Sequence, residues 1–118
     1  MLDNTYWDLS TLKTNPYITY NNGVYTVNKS GTYLVTYNVA FAINGYYNRA
    51  SWVYKNVDKS KRYGYNFFKA LVDDYTAMNG SFTIEMAAGD YIAIYVWQSS
   101  GYTLSMQSWG YSFSVTYL

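Results

Sequence analysis

Apolar and polar side chains alternate along most of this chain with a period of two. From Thr32 to Ile43, the residues Tyr33, Val35, Tyr37, Val39, Phe41 and Ile43 fall on one face. Leu34, Thr36, Asn38, Ala40 and Ala42, smaller and more polar on balance, fall on the other. Successive side chains of a strand point to opposite sides, so this pattern predicts a strand with one face on a core. Phe82, Ile84 and Met86 alternate with Thr83 and Glu85 in the same way, as do Tyr111, Phe113, Val115 and Tyr117 with Ser112, Ser114 and Thr116. Between Tyr91 and Trp97 both sets are apolar, Ile92, Ile94 and Val96 against Tyr91, Ala93, Tyr95 and Trp97. That strand is expected to be covered on both sides, one of them by another subunit.

Shorter strands are expected at about 17–20, 24–27 and 49–56. Residues 65–73 fit either a short helix or a strand and are read as a strand, with Asp73-Asp74 opening the next turn. Turn signals punctuate the runs: Asn22-Gly23, Lys29-Ser30-Gly31, Asn44-Gly45, Asn79-Gly80, Ala88-Gly89-Asp90, Ser100-Gly101 and Trp109-Gly110. Each supplies a glycine that can take a positive φ. Roughly eight to ten short strands with regular turns predict an all-β fold, a two-sheet antiparallel sandwich and a jelly roll in particular.

The 118 residues are expected to form one domain, 1–118, since no repeat is visible and the only proline is Pro16. Without cysteine there is no disulfide framework or thiolate metal site, and without histidine the usual general base and imidazole ligand are missing. Charged residues are 13% and the net charge is +1, which points to neither nucleic acid nor membrane as a partner. The apolar run from Tyr91 to Trp97 is too short for a membrane helix. No secretory signal opens the sequence, so an extracellular role would need a longer precursor or release by lysis, as for a virion.

Catalysis finds little support. No Gly-x-Ser-x-Gly elbow or phosphate-binding loop is present, and most of the seven acids sit at predicted turns. Asp73-Asp74, the one adjacent pair of acids, reads as a solvated turn; a calcium site would need more oxygens than Asp58 and Asp3 could add. Asp90 is expected to accept backbone N–H bonds within its own turn. Lys55 to Arg62 carries four basic residues and one acid; such a stretch can attract a phosphate, an acidic glycan or an acidic partner protein, and it is read here as a charged, solvated loop. No cofactor or metal is expected. Tyr and Trp rings stack on sugar faces while Asn and Gln bind hydroxyls. Tyr46 and Tyr47 in one loop, and Tyr102, Gln107 and Trp109 in another, are therefore the candidate ligand-binding residues.

Three stretches resemble the jelly-roll family of tumour necrosis factor and the complement component q globular head. In GVYTVNKSGTYLVTYNV, Tyr25, Val27, Gly31, Tyr33, Val35 and Tyr37 fit the family pattern of two apolar residues, a turn and Gly-x-Tyr entering a long strand. GSFTIEMAAGDYIAIYV, Gly80 to Val96, is similar to its strand, Gly-Asp turn and strand, and FSVTYL at Phe113 to Leu118 to its final strand. The chain departs from the family in lacking a collagen-like tract and in placing Asn28, Lys29 and Ser30 where prolines are frequent. It matches no cytokine receptor-binding loop, and its Tyr- and Asn-rich loops look more like phage or microbial members.

The resemblance implies a homotrimer packed around a threefold axis, and the aromatic surplus of 17 Tyr, 4 Trp and 5 Phe agrees with a buried self contact. Tyr91, Tyr95 and Trp97, joined by Tyr117 and Leu118, are expected there. The role expected is a non-enzymatic virion surface protein, a capsid decoration or fibre head, contacting other particle proteins and attaching to host surfaces or their glycans. The alternative is a secreted or cell-surface binding module for glycans or protein ligands.

Overall fold

A computed structural model of the protein describes residues 5–6, 17–21 and 23–118; Asp3, Pro16 and Asn22 lie outside them. The described strands are β1 (Thr5–Tyr6), β2 (Ile18–Asn21), β3 (Val24–Val27), β4 (Gly31–Phe41), β5 (Asn48–Lys55), β6 (Asp58–Lys69), β7 (Thr76–Met86), β8 (Tyr91–Gln98) and β9 (Ser112–Tyr117). They form two antiparallel sheets: β2-β3-β8-β5-β6, with β1 also on β8, and β7-β4-β9. A 3₁₀ turn, Ser108–Gly110, precedes β9.

The alternation read from the sequence becomes the division between core and surface. Tyr33, Val35, Tyr37, Val39 and Phe41 of β4 point inward, beside Met78, Ile84 and Met86 of β7 and Phe113 and Val115 of β9. Tyr25, Val27, Val53, Ile92, Ile94 and Val96 of the other sheet meet them. Burying a side chain of this size contributes about 1.5–3 kcal/mol relative to exposure, so this layer is the main stabilising term. Ile43, expected on the same face, lies beyond the end of β4 and is exposed.

One polar group crosses this core. The Tyr37 hydroxyl, reaching from β4 to the other sheet, lies 2.8 Å from Ser51 Oγ of β5 and donates to the Gly64 carbonyl of β6 at 2.7 Å. The Asn66 amide donates to Tyr37 at 3.3 Å and also to the Asn79 carbonyl of β7 at 2.5 Å. The ring needs room to lie this way. Gly80 stands directly opposite Tyr37 in the β4–β7 ladder, and a Cβ there would overlap the Tyr37 ring. Asn79-Gly80 is accordingly inside β7 and not a turn: a tertiary contact overrides its local preference.

The other large departure from expectation is β6. It begins at Asp58, inside the segment read as a charged loop, and ends at Lys69, before Asp73. Asn56, held at a φ of 55°, turns the chain so that Lys55 pairs with Asp58. Because the strands alternate in direction, the loops 42–47, 70–75 and 99–111 all emerge at one end of the sandwich.

Tyr37→Phe takes away the acceptor of the Ser51 hydroxyl and one donor to the Gly64 carbonyl in the core and is expected to lower the stability by about 1–3 kcal/mol. Gly80→Ala pushes the same ring off its partners and is expected to cost at least as much. Urea unfolding followed by tryptophan fluorescence measures both; a Tyr37→Phe midpoint equal to wild type would show that the hydroxyl does not tie the sheets together.

Candidate binding surfaces

At the loop end, buried polar side chains hold the backbone so that aromatic rings are left outside. Arg49, at the start of β5, is fully buried. Its Nη1 donates to the Tyr46 and Asn48 carbonyls, each at 2.9 Å, and its Nη2 to the Asn44 carbonyl at 2.7 Å. Its guanidinium carbon lies 5.8 Å from the centre of the Phe41 ring. Burial pulls its pKa below the ordinary arginine value. Both terminal nitrogens bond to loop carbonyls, while Nε is buried without a partner, so the cation fixes the loop's path. Tyr47 is driven to a φ of 60°, its carbonyl accepts from the Ala70 amide at 2.9 Å, and the Tyr46 and Tyr47 rings stay exposed.

Gln98 plays the same part at the end of β8. Its buried amide donates to the Tyr102 carbonyl at 2.6 Å, and its Oε1 accepts from the Ser100 amide and hydroxyl at 2.8 and 2.6 Å. This brings the Tyr102 ring to 6.2 Å from that of Tyr46. The third loop adds exposed Leu71 and Val72, with the Val72 backbone against Gly45. Asp73 and Asp74 are exposed, and Asp74 accepts from the Tyr75 amide at 2.8 Å. Among the described residues no three acidic side chains converge on a point where a metal ion could sit.

A second surface lies on the outer face of the larger sheet. Trp52 and Tyr54 of β5 are only 2% and 5% exposed although they point away from the core. Trp52 stacks on Tyr95 at 6.4 Å, Tyr54 meets Tyr95 edge-on at 4.7 Å, and Phe67 stacks on Trp97 at 5.9 Å. The expected cover on the second face of β8 is thus supplied in large part by the chain's own rings. Two cations from the segment read as a solvated loop lie across them. Lys59 Nζ is 4.4 Å from the Tyr54 ring centre and 4.2 Å from that of Tyr95, donating to the Tyr95 hydroxyl at 2.7 Å. The Arg62 guanidinium is 4.6 Å from the Trp52 ring and 5.2 Å from Tyr65.

No protein family and no curated protein matches the sequence, whereas many solved structures match the fold. A crystal structure of murine APRIL at pH 5.0 superposes with a TM-score of 0.73 at 15% identity, over 92% of this chain and 82% of that one. A second, at pH 8.0, gives 0.71 at 16% identity, over 92% and 79%. Eiger TNF from S. frugiperda gives 0.65 at 15% identity, over 95% of this chain and 74% of that one. The fold is a TNF-like jelly roll.

On this TNF-like frame the residues singled out from the sequence separate into groups. Tyr46, Tyr47 and Tyr102 come together at the loop end. Trp109, on the 3₁₀ turn, instead packs edge-on against Tyr75 at 5.0 Å, beside a hollow of about 350 Å³ between β4, β7 and β9. The Gln107 amide donates to the Ala40 carbonyl on the same side. Tyr91, Tyr95 and Trp97 share the outer face of the larger sheet. Tyr117 belongs to the other sheet, where it lies 5.3 Å from both Tyr33 and Tyr17 under the Lys29 ammonium, and Leu118 is exposed beyond it. Tyr91, Tyr95 and Trp97 therefore do not form one patch with Tyr117 and Leu118. Asp90 meets its expectation, accepting from the Ala87 amide and the Asn56 side chain, which together hold its carboxyl below the ordinary range. Arg49, Gln98 and the roof of Lys59 and Arg62 were not legible in the sequence, because nothing in a residue's neighbours along the chain says which carbonyls or rings it will meet.

Arg49→Met removes three hydrogen bonds to the part-buried Asn44, Tyr46 and Asn48 carbonyls, at an expected cost of about 1–3 kcal/mol. Hydrogen exchange is expected to quicken at the amides of residues 44–48 while those of β4 and β7 keep their protection. Uniform loss of protection would mean that Arg49 serves the whole core and not the loop.

Proposed function

We propose that this protein is a non-enzymatic homotrimeric recognition module displayed on a particle or cell surface, docking its partner through the loop end. One observation carries the reading: Ile43, Tyr46, Tyr47 and Tyr102, on two of the loops at that end, are each more than half exposed. Stable monomers seldom leave so many large apolar side chains together without a contact to cover them. Tyr beside Asn and Ser supplies rigid ring area with adaptable hydrogen bonds, the vocabulary of recognition loops.

The TNF-like fold supports the trimer, and the described surface suggests where copies meet. A cyclic trimer joins two different patches, so each copy offers one apolar edge to its neighbour. We place that edge at Phe68, Leu71 and Val72, all exposed at the end of β6 and in the loop that follows. The face of Tyr91, Tyr95 and Trp97 is the poorer choice, because a copy seated there would desolvate Lys59 and Arg62 over a patch with no acid among the described residues lining it. The Tyr-, Asn- and Ser-rich loops support a virion surface setting, with glycans or host proteins as the partner of Tyr46 and Tyr102.

Light scattering during size exclusion is expected to give a mass near three times 13.7 kDa over a range of concentrations. Leu71→Asp/Val72→Asp is expected to give a folded monomer, and Lys59→Glu/Arg62→Glu a trimer. A wild-type monomer would remove the trimer; dissociation by the second pair alone would move the contact to the sheet face. Antibody labelling of virions, and loss of cell adhesion in Tyr46→Ala/Tyr102→Ala with the mass unchanged, test the surface role and the loop end.

A further inference from the structure

The outer face of the larger sheet carries two hollows of similar construction. One, of about 240 Å³, has Ala50 among its lining residues, aromatic walls from Trp52, Tyr65, Phe67 and Trp97, and Arg62 beside them. The other, of about 350 Å³, is lined by Tyr54, Tyr91 and Tyr95 with Lys59 beside them. The two adjoin through the contact of Trp52 with Tyr54 and Tyr95. Each thus pairs ring walls with one exposed cation, and among the described residues no Asp or Glu lines either. The nearest acids along the chain are engaged elsewhere: Asp58 accepts from the Ser60 amide and hydroxyl, and Asp90 from Ala87 and Asn56.

From this repeat of ring walls and cation we infer that the face is a binding site for an acidic oligosaccharide, a chain of carboxylate-bearing pyranose units occupying both hollows. Pyranose rings present an apolar face to aromatic walls, and the fork of an arginine matches a carboxylate in two hydrogen bonds. The cations are pre-placed, since the Arg62 guanidinium lies over the Trp52 and Tyr65 rings and Lys59 donates to the Tyr95 hydroxyl, so little side-chain freedom is lost on binding. A single nucleic-acid strand also seeks rings and cations, but it stacks its bases on open ring faces. Here Arg62 and Lys59 already lie across Trp52 and Tyr54, which are almost fully covered, so the walls left to a ligand are the partly exposed Tyr65, Phe67, Tyr91, Tyr95 and Trp97, which suit the small apolar face of a pyranose better than a run of stacked bases. This site is separate from the loop end and from the proposed self contact, and it goes beyond both.

The experiment titrates the intact protein with oligogalacturonate, a neutral oligosaccharide of equal length and oligothymidylate, following tryptophan fluorescence and calorimetry. Saturable binding of oligogalacturonate with quenching of Trp52 and Trp97 is expected, weakened about tenfold or more in Arg62→Ala and in Lys59→Ala. Arg62→Lys is expected to recover only part of the affinity, because it keeps the charge and loses the fork. Both cations are exposed and lie outside the core between the sheets, so these variants are expected to stay folded and to melt within a few degrees of wild type. No binding of the uronate, equal binding of the neutral chain, or tighter binding of oligothymidylate would each overturn the proposal. Light scattering on the same variants separates it from the trimer reading: a trimer lost in Arg62→Ala would show that a second copy covers this face, whereas a monomer that still binds the uronate would keep the site and remove the trimer.

Discussion

The Tyr37 hydroxyl is the constraint around which the two sheets are arranged. A hydroxyl carried to the middle of an apolar layer costs several kcal/mol unless it is paired, so its partners must stand at hydrogen-bond distance in the opposite sheet. Ser51, Gly64 and Asn66 do so, and their positions fix how β5 and β6 lie over β4. The ring that carries the hydroxyl needs flat ground beneath it, which Gly80 provides, and Gly64 keeps a φ of 60° so that the far strand can come close. Burial raises the phenol's pKa, which keeps the group neutral and able to donate. One hydrogen-bonded node thereby links both sheets, and Asn66, which also bonds to β7, closes the sandwich along the β6–β7 edge.

The loop end uses the same economy of buried polar groups on backbone acceptors. Arg49 and Gln98 have no charged partner in their networks and bond to carbonyls and to the Ser100 amide and hydroxyl. A side chain that gathers several loop carbonyls substitutes for the secondary structure a loop lacks. The rings outside are then presented by a rigid backbone, and less conformational entropy is lost when a partner covers them.

Aromatic residues serve two compartments. Inside, Tyr25 of β3 stacks on Phe113 of β9 at 4.2 Å across the two sheets, and Tyr33 packs against Tyr117 within the smaller one. Outside, Trp52, Tyr54, Tyr95 and Trp97 form a second layer on the larger sheet, held down by Lys59 and Arg62. The charged heads stay in solvent while their stems and faces cover rings, which is how a chain with so many aromatic side chains keeps a wet surface. This second layer supplies much of the cover on the outer side of β8.

Alternation alone was enough to determine the strands around Val35, Ile84, Ile94 and Val115 and the faces they bury, because side-chain direction in a strand follows from residue parity. The order of those strands and the Gly-x-Tyr and Gly-Asp turns carried the jelly roll as well. Tertiary structure decided what depends on residues far apart in sequence. Asn79-Gly80 has the composition of a turn, yet the Tyr37 ring from the neighbouring strand makes it the middle of β7. Lys59 and Arg62 have the composition of a solvated loop, yet a turn at Asn56 folds them onto rings of β5 and β8. Arg49 reads as one more charge, and only the path of its own loop makes it a buried anchor. Local pattern settles which way a side chain points; what it meets there is set by chain packing, which no local pattern records.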